Sequence, residues 1–546
     1  MTNMKKLSKY IIAIGLFASS CSLDRTPYDA LPADDLDNIQ GSVESITLGN
    51  YSRLKDWVNN WHRVVEYPGD NVALSGTTTD NLFYSYNYHR LVTNARVNDF
   101  WEQSYKNIVG TNIVLEKLQE GESLENDQLI AENLYLRSML YFYLTNVFGR
   151  PYVQGPENMG VPIKLSSDVD ENPARSSVGE VYAQIEKDLL KAESLFNTSK
   201  ANVYASKEAA QALLARLYLY KGENQKAIEY ADKVINSGRF TLLSTAELPN
   251  MSVKVPEDNS ETIFAIKFVK DADYPDNGWY TVGSMYATIQ GAGWGEMYAS
   301  RPYLELVRKY PSDKRNAFIN PVVKDAGVTM AYYVNDQYTY QGVEVTKSGD
   351  DYQYSENGTQ KKLIKTPNGA GDYQYAITIG GKTRSVLIDK QLDDRNGYLK
   401  YFINKCSGQE GQAHLWSPII SRLAEMYLIR AEANAKLGNV NAALEDVNII
   451  RKRAGIPESG LYTAATLGSK TALDVVLEER QLELAWEGHR KFDIFRNNRT
   501  LNREYPGTHL SGANPKFTIA PTSPDIIDYI PESQIVISGG VLIQNP

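Results

Sequence analysis

Apolar residues recur at three- and four-residue intervals over positions 100–118, 127–148, 178–196, 207–221, 224–237, 421–437, 440–454 and 471–495, which predicts amphipathic helices there. Two of the predicted helix pairs share internal spacing. Ala209-Ala210-x-Ala212-x-x-Ala215-x-Leu217-Tyr218 runs to Gly222 and then Ala227, and Leu423-Ala424-x-x-Tyr427-x-x-x-Ala431-x-Ala433 runs to Gly438 and then Ala442-Ala443. Small residues let paired helices approach closely and the Gly supplies the tight turn, so both read as tetratricopeptide-like units. Between about Phe240 and Trp416 the helical period fades and Gly, Tyr, Asn and Asp rise. Short alternating runs such as 262–268 and 385–388 appear, and 333–375 is rich in Tyr. The fold class read from this pattern is mainly α: a helix-pair scaffold with an inserted loop-rich lobe containing short strands. Its parts are a helical section over 39–240, a lobe over 241–416 that carries the ligand-facing loops, and a second helical section over 417–546.

The N-terminus follows a different pattern. Lys5, Lys6 and Lys9 precede an apolar run over 10–18, then Ser19, Ser20 and Cys21. This is an export signal over 1–20, too short in its apolar part to span a bilayer. Small residues directly before a Cys look like a lipobox, implying cleavage before Cys21 and acylation of its thiol; the alternative is an ordinary secretory signal with an incidental Cys. Residues 21–38, broken by Pro27 and Pro32, then form a tether from lipid to folded body. With Cys21 lipidated, Cys406 has no intramolecular partner.

The net charge of −9, with no block of Lys and Arg, gives no electrostatic footprint for nucleic acid. Catalytic patterns are equally scarce. His62, His89, His414, His489 and His509 include no pair at zinc-helix spacing, and no HExxH, CxxC or GxSxG occurs. Gly291, Gly293 and Gly295 lack phosphate-loop spacing and read as a turn. Glu483 and Glu487 are four apart, with Glu478 and Glu479 upstream and Arg480, Arg490 and Lys491 nearby, so they read as a salt-bridged face rather than an acid/base couple. Asp350-Asp351 and Asp393-Asp394 fit no calcium-ligand spacing. Neither a cofactor nor a metal is expected.

The last third carries Arg422-Leu-Ala-Glu425-Met-Tyr427-Leu-Ile-Arg430-Ala431-Glu432-Ala433, then Asn448-Ile-Ile-Arg451-x-Arg453-Ala454-Gly455, then Glu479-Arg480-x-x-Glu483-Leu484-Ala-x-Glu487-Gly488-x-Arg490-x-Phe492-Asp493-x-x-Arg496. Upstream stand Trp101-x-x-x-Tyr105-x-x-Ile108 with Asn112, Arg137-x-x-x-Tyr141-Phe142-x-Leu144 leading to Phe148-Gly149, and Gly293-Trp294-Gly295 ahead of Asp313-x-Arg315. The chain closes on Ile530-Pro531-Glu532 and Gln544-Asn545-Pro546. Together with the lipobox, this order resembles the RagB/SusD family. The resemblance implies a SusD-like bundle of helix pairs under a loop-rich lobe, lipid-anchored in the outer membrane and facing outward over a SusC-like TonB-dependent transporter. It implies capture of oligosaccharides, or of peptides in some members, without catalysis. Only Asp24 supplies the acidic residue that aids surface display after Cys21. The Arg and Glu residues of the long motif read as framework, because charges on inward-leaning helix faces must pair.

Sugars present an apolar C–H face that packs on Trp or Tyr, and hydroxyls that need Asp, Asn, Gln or Arg. Two segments offer that mixture, and the resemblance places both at the ligand face. One is Asp70, Asn71, Asp80 and Asn81 followed by Tyr84, Tyr86, Tyr88 and Arg90, where alternate Tyr residues share one face if the stretch is extended. The other is Trp279, Tyr280, Tyr286, Gln290, Trp294 and Tyr298. Packing competes with binding for each: alternating Tyr also suits a half-buried strand, Trp294 lies within a family motif, and Trp101 reads as core. Three functions fit these features: a glycan-capturing lipoprotein, the same fold capturing peptide or another cargo, and a surface-anchored glycoside hydrolase.

Overall fold

Leu54, Trp57, Val58, Trp61, Val64 and Val65 recur at helical spacing and each lies at 1% exposure or less, which turns Ser42–Val65 into a long helix, α1, not expected from the pattern above. In this computed structural model residues 41–76, 79–368, 372–511 and 514–546 are described; the export segment, Cys21 and the tether lie outside them. The chain divides into Met1–Ile46, of which only the start of α1 is described, and Thr47–Pro546, which carries everything below.

The scaffold helices after α1 follow the predicted spans closely. They are α2 (Ala95–Lys117), α3 (Leu124–Phe148), α4 (Val178–Leu195), α5 (Lys207–Lys221), α6 (Asn224–Ile235), α7 (Leu423–Lys436), α8 (Val440–Arg453) and α9 (Ala472–Glu483). Their starts are set locally: Asn94 accepts from the N–H groups of Arg96 and Val97, and Ser177 and Glu180 close a capping box on α4. Gly222 (φ 78°) and Gly438 (φ 82°) turn the chain left-handed at the ends of α5 and α7, a conformation with little steric cost only for Gly. The Ala residues of both repeats are buried, apart from the half-buried Ala442. Most telling, α6 packs directly on α7, so the two pairs form one stack although the lobe separates them in sequence.

The inserted part is more regular than a loop-rich lobe with short strands. Strands Val323–Val334 and Lys382–Leu392, 12 and 11 residues long, pair antiparallel at the centre of a five-stranded sheet. A three-stranded sheet (Thr346–Ser348, Asp351–Glu356, Thr359–Lys362) completes a small sandwich over Ala331, Tyr333, Val345, Tyr354, Leu363, Ile377 and Val386. The Gly and Asn that suggested loops are hairpin turns: Asn357-Gly358 (φ 51°, 80°) and Gly380-Gly381 (φ 57°, 79°) have the paired positive φ of the turn that matches strand twist. Arg301 donates to the Tyr332 carbonyl (3.0 Å) and Arg308 binds Asp389 (2.6 Å), clamping the sandwich to the body.

The single helix predicted over 471–495 is two. α9 ends at Glu483 and α10 is Arg490–Arg496, with Trp486 (φ 64°) and Gly488 (φ 78°) left-handed between them. The buried Glu66 carboxylate accepts from the Trp486 and Gly488 N–H groups (3.1 and 2.8 Å), and a Cβ at Gly488 would meet Trp61 at 2.8 Å. Tertiary hydrogen bonds and close packing therefore override the local helical period. The predicted helix over 421–437 likewise opens as a strand, Ile419–Arg422.

Around this break lies a buried charge lattice. Arg422 donates to Glu483 (2.7 Å), Glu487 (2.7 Å) and Glu261 (3.0 Å). Arg315 binds Asp313 (2.8 Å), Glu479 (2.6 Å) and Glu483 (3.3 Å), while Arg451 meets Glu479, Arg453 meets Glu483, and Lys405 meets Glu487. Arg315, Lys405, Arg422, Arg451 and Arg453 thus balance Glu261, Asp313, Glu479, Glu483 and Glu487, all buried. Burial alone would raise the Glu483 carboxyl, but Arg453, Arg422 and Arg315 hold it well below the usual carboxylate range. Removing one member strands its partners without water. Arg422→Met should cost about 3–5 kcal/mol, read as a lower denaturant midpoint, whereas Lys361→Met, at an exposed pair with Glu356, should cost within about 0.5 kcal/mol.

Candidate functional site

The two segments singled out for ligand contact are joined by a short ladder. Strand Val72–Leu74 pairs antiparallel with Met297–Ala299, Val72 opposite Ala299 and Leu74 opposite Met297. The ladder continues outward through the Ser75 N–H to the Glu296 carbonyl (2.9 Å). What each segment then exposes differs sharply.

Most of the first segment faces inward. Residues Leu82–Asn87 form a short helix, not an extended stretch, so the alternate tyrosines do not line one face. Asp80 starts it by accepting from Leu82 N–H (2.9 Å) and is tied to Arg96 (2.6 Å); Asn81, half-buried, stands directly ahead of it without a capping bond from its side chain and accepts from Asn94 at its carbonyl. Tyr86 is fully buried, its hydroxyl 2.7 Å from His509 Nδ1 and its face under Arg503. Tyr88 is buried and donates to the Pro68 carbonyl (2.8 Å). Asp70 is held by Arg490 (2.6 Å), and Asn71 links Gln481 to Glu66. Arg90 stacks on Tyr529 and donates to the carbonyls of Ile527 and Pro546. These side chains are spent on internal contacts; Tyr84 stays half-buried beside Phe83.

The second segment builds a surface. Asp276, Asn277 and Gly278 are successively left-handed (φ 51°, 54°, 76°), a tight bend that lifts Trp279 and Tyr280. Gln290 (φ 53°) and Gly291 (φ 80°) close a two-residue turn bridged by Ile289 and Ala292. Gly293 and Gly295 then let the chain lie against the body, where a Cβ would meet His414 Nε2 at 2.3 Å and Thr288 Oγ1 at 2.7 Å. Trp294 emerges from this run half exposed, and its Nε1–H donates to the Trp279 carbonyl (3.2 Å). The two indoles stand at 81° with centroids 5.2 Å apart. Tyr280, 66% exposed, stands next to them. Tyr286 and Tyr298 from the same segment are buried, Tyr286 with its hydroxyl 2.7 Å from His62 Nε2.

Three polar residues that the sequence reading passed over, Glu296, Arg395 and Asn396, meet beside the Ser75–Glu296 ladder. Arg395 donates to the Glu296 carboxylate (2.9 Å), and Asn396 Nδ2–H donates to the Ser75 carbonyl (3.0 Å). Both come from the hairpin Asp394–Leu399, whose tip is Asn396-Gly397 (φ 56°, 81°), and that dipeptide was the signal available for it. Among the described residues no three His, Cys, Asp or Glu side chains converge to hold a metal. Glu483 and Glu487 are locked under Arg422, away from any open surface.

Residues 260–525 match the model of the SusD family, and residues 23–219 match a family described as starch-binding, associating with the outer membrane. The chain belongs to the SusD family. This member is similar over its full length to SusD-like protein P2 of Formosa agariphila, 25% identical across 100% of both chains. Its fold is that of a SusD superfamily protein from Bacteroides thetaiotaomicron (TM-score 0.73, 24% identity, 94% of this chain and 100% of the other). It is likewise that of a SusD-like carbohydrate-binding protein from Bacteroides vulgatus (TM-score 0.65, 18% identity, 92% and 96%). No described helix of this SusD-family chain is long and apolar enough to cross a membrane.

Two measurements separate framework from surface. Tyr86→Ala should lower stability by about 3–5 kcal/mol and Tyr280→Ala by less than about 0.5 kcal/mol, both from denaturant midpoints. Burial, reinforced by Arg63, pushes His62 down to about 3. Between there and pH 6.5 the unfolded chain binds a proton that the folded chain refuses, so His62 makes stability fall as pH falls through that window, by about 1.4 kcal/mol per pH unit. Urea midpoints between pH 4.5 and 6.5 should show His62→Gln shedding one proton's worth of that slope.

Proposed function

We propose that this SusD-family protein captures oligosaccharides at the Trp279–Trp294 corner and binds them without cleaving them. The observation that carries the reading is the perpendicular pair of indoles, one half exposed, fixed to each other by an indole-to-carbonyl hydrogen bond. Perpendicular rings offer two apolar walls to successive sugar units, and fixed rings lose little entropy on binding. The starch-binding description of the matched family and the carbohydrate-binding description of the Bacteroides vulgatus protein support a sugar as cargo. The family description likewise supports association with the outer membrane. On this reading Cys21, which closes the lipobox, is the lipid anchor, the protein faces the exterior, and it delivers its cargo to a SusC-like TonB-dependent transporter. Binding without hydrolysis is supported by the fate of the one suspicious acid pair, buried and neutralised by Arg422 and Lys405.

Calorimetric titration of the purified protein against starch, fructan, plant cell-wall and mucin-type oligosaccharides, with chromatography of each mixture, tests this reading. Saturable binding without new products is expected, with Trp279→Ala and Trp294→Ala each weakening it at least tenfold, or about 1.4 kcal/mol. Released sugar would make it a hydrolase, and binding confined to peptides would replace the cargo.

A further inference from the structure

One buried residue supports both arms of the aromatic corner. His414 commits each of its hydrogen-bonding groups. On the Trp279 side its backbone N–H donates to the Tyr274 hydroxyl (3.1 Å) and its carbonyl accepts from Thr281 Oγ1 (2.8 Å), bonds that flank the left-handed bend at 276–278 and Trp279 itself. On the Trp294 side its Nε2 lies 2.9 Å from the carbonyl of Ala292, two residues ahead of the indole. A carbonyl can only accept, so Nε2 carries the proton and Nδ1 is left to accept from the Ser407 hydroxyl (3.4 Å). Burial lowers the pKa of the ring, which keeps this neutral form near pH 7. Each arm also lays a glycine against the residue: a Cβ on Gly278 would stand 3.0 Å from His414 Cβ, and one on Gly293 2.3 Å from Nε2.

The turn ahead of Trp294 needs such an anchor. Gln290, Gly291 and Gly293 are left-handed (φ 53°, 80° and 92°), a conformation that strains Gln and in Gly gives up the most chain entropy. The Ala292 carbonyl already takes the Ile289 N–H (2.9 Å), so His414 fills its second lone pair and joins the closed turn to the body. The Ser284 carbonyl takes the Trp294 and Gly295 N–H groups (2.7 and 3.0 Å), but that tie is backbone to backbone and fixes the end of the turn. The tie ahead of it is made by a side chain. The two indoles meet through one hydrogen bond, from Trp294 Nε1–H to the Trp279 carbonyl, so the 81° between them depends on where both arms are set.

Resting on the capture reading above, we infer that His414 is a positioning residue for the aromatic corner: its Nε2–H sets the angle between the two indoles and, through that angle, the affinity for sugar. The test reads the rings and the ligand separately. In protein labelled with 5-fluorotryptophan, Trp279→Phe and Trp294→Phe assign two fluorine resonances, and the remaining five of the seven tryptophans report on the rest of the fold. His414→Leu keeps the bulk and removes the donor; it should move those two resonances and leave the other five in place. Calorimetry with the tightest-binding oligosaccharide of the panel should then show roughly tenfold weaker binding. His414→Asn, whose shorter amide reaches the position of Nδ1 and not that of Nε2, should behave as His414→Leu does. His414→Gln, whose amide N–H reaches the position of Nε2, should return both resonances toward wild type and the affinity to within about twofold. The Gln and Asn variants decide the matter even where Leu unfolds the protein. Resonances unmoved in His414→Leu and His414→Asn would overturn the inference, as would resonances that move while affinity holds, or a Gln variant no better than Asn. In each of those cases binding that still weakens in Trp294→Ala leaves the capture reading standing. If wild type binds no member of the panel, or Trp294→Ala binds like wild type, the capture reading fails and this inference falls with it.

Discussion

Arg422 faces Glu261, Glu483 and Glu487 at once in a place that water does not reach, and much of the architecture can be read as the condition for keeping it there. Desolvating an ion costs several kcal/mol, which is recovered only if every partner is in position together. The members of the lattice come from six places in the chain: Glu261 near the start of the lobe, Asp313 and Arg315 ahead of its sandwich, Lys405 on the way out, and then Arg422, α8 and the end of α9 with the break after it. The lattice therefore ties the entry and exit of the lobe to the last helix pairs. It works less as glue than as a registration device, because a shifted helix would leave charges unmatched. Glu66 extends the same logic to α1, holding the α9–α10 break open through two backbone N–H groups.

On that rigid floor the aromatic corner needs only short-range devices. Left-handed residues at 276–278 and 290–291 turn the chain, glycines at 293 and 295 let it lie close to His414 and Thr288, and the indole hydrogen bond sets the angle between the rings. None of these contacts involves a residue of the charge lattice, so the surface proposed to meet ligand and the interior that holds the fold are built from separate sets of residues. The inserted sandwich likewise has its own apolar centre and is clamped by Arg301 and Arg308 at its base.

How much of this could be read from sequence depended on whether the deciding interaction was local. The helix pairs were legible because Ala spacing and a following Gly are themselves the cause of close packing and a tight turn. α1 carried the same period but was interrupted by Gly49-Asn50 and Asn59-Asn60, poor helix formers that its buried tryptophans outweigh. Tyr84, Tyr86 and Tyr88 misled because alternation is informative only in an extended chain, and 82–87 form a helix whose first N–H, that of Leu82, is taken by the Asp80 carboxylate. The break after Glu483 was invisible since Glu66, which sustains it, lies hundreds of residues away. For the candidate site, Trp279, Tyr280 and Trp294 were singled out from sugar chemistry and the family resemblance, and Tyr280 and Trp294 lie at the surface. Glu296 and Arg395 were not, because their meeting depends on a hairpin and a strand pairing distant in sequence, although Asn396-Gly397 marked the turn.

The stacking of α6 on α7 has a consequence in time. Ile235 ends the first helix and Leu423 begins the second, so everything between them must be made before the stack can close. At about 5–20 residues per second, that is an interval of roughly ten to forty seconds. Throughout it Asp232 waits for Arg430, its partner at 2.6 Å in the finished structure, and the flank of α6 that α7 will cover stays open. The entropic cost of closing so long a loop grows only logarithmically with its length. The burden of the insertion therefore falls on the nascent chain, which must keep a half-built stack from finding other company, more than on the stability of the completed protein.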